Sequence, residues 1–244
     1  MKARTGHACL AIGLLLAGCA NQPLAPVPAA FSSAPPKSPA VGDTAVYRVV
    51  NRYNGIVLGE LHLHVDKVER DRVVVAVTST MPGAESPRVE IFTPEGNWLR
   101  HALPSHNQMV DYDFAPAYPA YAFPLDQGKS WSVRVTATDP ATGRRNSVRV
   151  DGEVLGSERV VTPAGAFDTI KIRRRVYAGD WDGFLYETNI AEVDWYAPDL
   201  GRAVRSETNS AWRDLRRSPG GMLQDNQWMR GDWDVLELVS YGRK

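Results

Sequence analysis

T-P-A-G-A-F-D-T-I-K-I-R-R-R-V-Y at residues 162–177 and D-W-Y-A-P-D-L-G-R-A-V-R-S-E at residues 194–207 decide the fold of this chain. Each stretch sets a Pro/Gly turn beside a run of alternating side chains. Thr162-Pro163-Ala164-Gly165 suits a type I turn, with proline supplying the fixed φ of the second position and glycine the fourth. Beyond it Asp168, Ile170, Ile172, Arg174 and Val176 share one parity, and Thr169, Lys171, Arg173, Arg175 and Tyr177 the other. Successive side chains of a strand point to opposite faces, so this is a strand with one mostly apolar and one cationic face. Ala197-Pro198-Asp199-Leu200-Gly201 turns the chain again, between returning strands at 184–196 and 202–212.

The same period of two extends in both directions. Tyr47 and Val49 alternate with Arg48 and Val50, Asn54-Gly55 offers the positive φ of a tight turn, and Leu61, Leu63 and Val65 alternate with His62, His64 and Asp66. Val73, Val75 and Val77 continue the pattern, and Pro94-Glu95-Gly96-Asn97 separates two further runs, Val89–Phe92 and Trp98–Leu103. Trp131–Ala137 and Val148–Val150 flank a turn at 139–143, the polar segment 213–226 reads as a loop, and Asp234–Tyr241 is a last strand. Residues 104–128 interleave Tyr112, Phe114, Tyr118, Tyr121 and Phe123 with four prolines, and predict a long connection whose aromatics cover an edge or end of the sheet. No window carries a capped helical period. The expected fold is therefore all-β: one antiparallel sheet curled on itself, as a half-barrel or as a two-layer sandwich.

The chain has 244 residues, 43% hydrophobic and 23% charged, enough for one sizeable core. Its 28 basic and 28 acidic residues balance, which gives no electrostatic reason to expect a nucleic-acid partner. Its two cysteines are Cys9 and Cys19, so the rest of the chain has no disulfide, thiolate nucleophile or cysteine-bound zinc.

Residues 1–18 place Lys2 and Arg4 ahead of an apolar run, Ala8–Ala17, that is too short to span a bilayer and fits a cleaved signal. Leu16-Ala17-Gly18-Cys19 resembles the lipobox of bacterial lipoproteins. That resemblance implies lipidation of Cys19 and, with Ala20 in place of aspartate after it, the outer membrane, periplasmic face. Residues 19–41 are rich in Pro, Ala and Ser and form an extended tether, and 42–244 form a single β domain.

P-A-G-A-F-D-T-I-K-I at 163–172, W-Y-A-P-D-L-G-R-A-V-R-S-E at 195–207 and F-P-L-D-Q-G-K-S-W at 123–131 resemble a family of uncharacterised bacterial envelope proteins. The resemblance spans roughly residues 41–241. It implies one antiparallel β domain akin to the half-barrels that carry lipids or lipoproteins, and it brings no catalytic residues.

Several constellations have a candidate chemistry. His62 and His64, two apart on a strand, project from one face and would share a metal if Glu60, Asp66, His101 or His106 completed the set. The plainer account is a solvated polar face. Asp180 and Asp182 flank Trp181, and Asp232 and Asp234 flank Trp233; paired carboxylates beside a ring suit a glycosidase, although D-W-D-G is also an ordinary turn. Lys171, Arg173 and Arg175 form a cationic stripe which, with Trp181, is a candidate binding surface for anionic lipid, glycan or protein; a solvated outer face is the alternative. Arg213, Arg216 and Arg217 add a basic cluster. Trp131 and Trp195 are expected in the core, and Trp212, Trp228 and Trp233 are open to either role. No nucleophile elbow, phosphate loop or dinucleotide fingerprint is present, and no cofactor is expected. The functional expectation is a non-enzymatic, lipid-anchored protein that binds or helps to assemble an envelope component. A carboxylate-dependent hydrolase and a structural module of a larger envelope machine are the alternatives.

Overall fold

The computed structural model describes residues 37–84, 87–105, 108–179, 186–214 and 227–243. The expected signal, Cys19 and most of the tether lie outside these residues, as do Asp180, Trp181, Asp182, His106, Arg216 and Arg217. Twelve strands follow one another: β1 Thr44–Asn51, β2 Val57–Val68, β3 Val73–Ser79, β4 Arg88–Phe92, β5 Trp98–Ser105, β6 Gln108–Tyr118, β7 Ser130–Thr138, β8 Arg145–Thr162, β9 Gly165–Gly179, β10 Tyr186–Ala197, β11 Arg202–Asp214 and β12 Met229–Gly242. Each pairs antiparallel with its neighbours in sequence, and β1 pairs with β12, so the curled sheet closes into a barrel. Closure leaves no edge strand to template aggregation.

The alternating sequence becomes an inside and an outside. Ala45, Tyr47 and Val49 of β1, Val73, Val75 and Val77 of β3, and Ile170, Ile172 and Val176 of β9 are all buried. Burying a Val or Ile side chain contributes about 1.5–3 kcal/mol, so the repeated pattern fixes both register and closure. The turn at 163–164 forms as the sequence requires, with Thr162 paired to Gly165. The Asn54-Gly55 turn is wider than a two-residue hairpin: Asn51 N donates to Ile56 O, and Gly55 takes a left-handed φ of 73°.

The proline-rich stretch departs from expectation. Residues 108–118 are a full strand, β6, between β5 and β7, although the β6–β7 ladder is only three residue pairs long, Asp113–Ala115 against Thr136–Thr138. Proline is tolerated because this ladder ends at Ala115, before Pro116, where no amide donor is needed. Residues 119–129 then turn inward. Tyr118, Ala120 and Leu125 are buried, and Tyr121 and Phe123 pack on Tyr196. The connection therefore fills one end of the barrel from within, which a twelve-stranded barrel needs if its interior is not to be a void.

The up-and-down path gives the barrel two unlike ends. Residues 37–43, the turns at 69–72, 93–97, 163–164 and 198–201, and Gly242 lie at one, called here the tether end. Lys37 donates to Asp199 O there. The turn at 52–56, the end of β5, and the starts of β6 and β12 lie at the far end.

Candidate binding cavity

Inside the barrel is a cavity of about 350 Å³. That volume lies within the ~300–1,000 Å³ range typical of small-molecule sites. One wall comes from β1–β3, where alternation places Val49, Leu61, Val65, Val73, Val75 and Val77 on the inner face. The adjoining wall, joined to β1 through β12, is polar, and register explains it. Arg174 pairs with Glu192, Glu192 with Thr208 and Thr208 with Asp234, so one hydrogen-bonded row carries four polar side chains across β9–β12. The next row places Asp194 beside Ser206.

Arg174 holds this wall together. Its Nε lies 2.7 Å from Glu192 Oε2, its Nη2 2.8 Å from Asp194 Oδ2, and its Nη1 donates to Ala120 O at 3.0 Å. Tyr118 and Tyr121 donate their hydroxyls to the same two carboxylates, at 2.7 and 3.1 Å. Burial works against the Arg174 charge, but Asp194 and Glu192 outweigh it and hold the guanidinium well above its ordinary pKa. Burial pushes both tyrosines well above theirs. A second charged group sits on β4 and β5. Glu90 accepts from Arg88 Nη2 at 2.7 Å, and His101 Nδ1 stands 3.2 Å away at ion-pair distance. Burial alone would raise Glu90, yet His101 and Arg88 hold it down at about 2.

Four lining atoms have no hydrogen-bond partner among the described residues: Asp43 Oδ1, Asp234 Oδ1, Arg88 Nε and His101 Nδ1, the last at ion-pair distance from Glu90. Burial, with Asp232 adding repulsion, pushes Asp234 up to about 6. The cavity thus joins a continuous apolar wall to a wall rich in carboxylate acceptors.

The residues singled out from sequence fall in different places. Asp232 and Asp234 line the cavity. The stripe on β9 faces outward, and each member stands across from an acid of β8. Lys171 Nζ is 2.9 Å from Glu158, Arg173 Nη2 is 2.6 Å from Glu153, and Arg175 is in register with Asp151. Lys171 and Arg205 also stack on Trp195, which is buried. His62 and His64 are exposed, paired to Glu60 at 3.1 Å and Asp66 at 2.7 Å. Among the described residues no three His, Cys, Asp or Glu side chains gather as a metal site. Trp131 is half-buried over Gly152, Trp212 and Trp233 are half-buried, and Trp228 is exposed.

The buried Arg174–Glu192–Asp194 group was not singled out from sequence. Its signal was present, since Arg174 shares the parity of Ile170, Ile172 and Val176, and Glu192 and Asp194 that of Ile190 and Tyr196. Charges in core-facing positions of neighbouring strands imply mutual pairing.

Residues 118–212, from the end of β6 into β11, match the DUF3108-like family model. The three motifs at 123–131, 163–172 and 195–207 all fall within them. No curated protein matches the chain. A predicted lipoprotein from Parabacteroides distasonis has the same fold, with a TM-score of 0.51 and 16% identity over 84% of this chain and 97% of that one. Two further solved structures are more distant. An exported protein with a YmcC-like fold from Bacteroides fragilis gives a TM-score of 0.47 and 16% identity, covering 88% of this chain and 100% of its own. The hypothetical lipoprotein YmcC of Escherichia coli gives 0.43 and 11%, covering 84% and 87%.

Proposed function

We propose that this chain is an exported lipoprotein of the bacterial envelope, anchored through Cys19 at the periplasmic face of the outer membrane, whose barrel binds an amphiphilic envelope component. The observation that carries the proposal is the two-sided cavity. The wall of β1–β3 suits an acyl chain, and the carboxylates of β9–β12 suit a head group rich in donors, such as sugar hydroxyls or an amine. Buried polar groups confer specificity when a ligand satisfies them, and Asp43 and Asp234 each have an oxygen free to accept. The lipobox-like Leu16–Cys19 and the likeness to a predicted lipoprotein support the envelope setting. Native mass spectrometry of the full chain, taken from the envelope in mild detergent, tests the proposal. The expected result is an adduct that organic extraction releases as an acyl-bearing amphiphile; a chain that is consistently free of adduct contradicts it.

One observation favours carboxylate-dependent hydrolysis as a second reading. Asp234, held up at about 6 by burial beside Asp232, is an acid able to donate a proton near neutral pH from the polar wall of the cavity. Turnover of chromogenic glycosides or esters that disappears in Asp234→Asn would support this reading, and its absence with the parent chain would remove it.

A further inference from the structure

The far end of the barrel carries a patch that the cavity does not use. Thirteen large hydrophobic side chains are exposed among the described residues, and seven of them gather here: four from the turn at 53–58, with Met109, Trp228 and Met229. Contacts join the turn at 52–56 to the start of β12, and the end of β11 to Trp228. Tyr53 packs edge-on against Trp233 with ring centroids 5.5 Å apart, and its hydroxyl donates to Gly231 O. Arg52 lies over Trp233, and Arg213 over Trp228. The patch also rims the cavity: Met109 lines it and is 57% exposed, and Asp232 lines it from the same end.

We infer that this far-end rim docks on the surface of a phospholipid bilayer, which would bring the Met109 and Asp232 side of the cavity nearest the membrane. Tyr and Trp present an apolar body and a polar tip, and Arg stems lie along apolar surface while their heads stay wet, which together match the headgroup level of a bilayer. Ile56 and Val57, 58% and 54% exposed, supply the part that enters the acyl boundary. The chain that leads to Cys19 leaves from the opposite end. An extended Pro-rich segment rises about 3.1 Å per residue, so residues 19–36 would reach about 55 Å and let the barrel turn this rim to the anchoring membrane. The inference takes its purpose from the cavity reading, but docking is measured separately.

The test uses the lipidated chain from Cys19 onward, with a single added cysteine labelled with an environment-sensitive dye, reconstituted into phosphatidylethanolamine–phosphatidylglycerol vesicles through the lipid on Cys19. The label is placed at Ile56→Cys in one sample and Val161→Cys in another. Val161 is 74% exposed at the tether end and serves as the control. The expected result is a blue shift and quenching by spin-labelled lipid at position 56, at least about threefold stronger than at position 161. Absence of quenching at 56, or equal quenching at both positions, overturns docking by this rim. Repeating the measurement with Val75→Trp, which fills the cavity, separates the two ideas: docking predicts unchanged quenching at 56 even where ligand uptake is lost, and loss of quenching in that variant overturns an independent docking surface.

Discussion

Arg174 is the side chain on which the polar wall depends. It is 1% exposed and neutralises two carboxylates that are themselves buried. A buried pair broken from one side leaves an uncompensated charge, which costs about 3–5 kcal/mol. Arg174→Met is therefore expected to lower unfolding free energy by that amount in urea titrations, with Arg174→Lys recovering only part because ammonium lacks the two-pronged geometry. Asp234 makes a different prediction. Its folded pKa of about 6 lies above its ordinary 3.8, so the folded chain keeps a proton that the unfolded chain has released. Its contribution to stability is full below about pH 3.8 and is lost as pH rises through 6. Asp234→Asn removes that loss. The melting temperature of the variant minus that of the parent is expected to grow between pH 4 and pH 7, and a difference that stays flat with pH would contradict the burial of this carboxyl.

At the scale of elements, the strands were legible because period-two burial is what the sequence spells, from Tyr47 and Val49 to Ile170 and Ile172. The turns at 94–97, 139–143, 163–164 and 198–201 were legible through their Pro and Gly. Residues 104–128 were not. Proline density argues against a central strand, yet β6 forms because its ladder to β7 ends before Pro116, a tertiary accommodation that no local signal announces. The site was legible only in part. Asp232 and Asp234 were singled out, while Arg174, Glu192 and Asp194 were passed over because a charge in an apolar stripe looks like an interruption until its partners on the next strand are known. Strand packing also yields a prediction at Gly152 on β8. A Cβ there would stand 2.0 Å from Trp131 Cε2, so the ring needs the bare backbone beneath it. Gly152→Ala is expected to displace Trp131 from its place against Leu125, Tyr196 and their neighbours, destabilising the chain by about 1–3 kcal/mol and shifting tryptophan emission to the red.

The described residues form a closed barrel whose cavity joins an apolar wall on β1–β3 to a carboxylate-bearing wall on β9–β12, with an aromatic patch at the end opposite Lys37. Sequential up-and-down pairing makes this architecture possible without edges, and the inward connection at 119–129 divides the interior into core and cavity. Under the proposed function, the cavity takes up the apolar part of an amphiphile. Titration of the full chain with the fluorescent fatty acid cis-parinaric acid tests it most directly, with Val75→Trp as comparison because Val75 is buried on the apolar wall. The account predicts saturable binding by the parent chain and at least about tenfold weaker binding by Val75→Trp, a loss of about 1.4 kcal/mol, with the far-ultraviolet dichroism of the two unchanged. Absence of saturable binding by the parent, or equal affinity in a folded Val75→Trp, would contradict it.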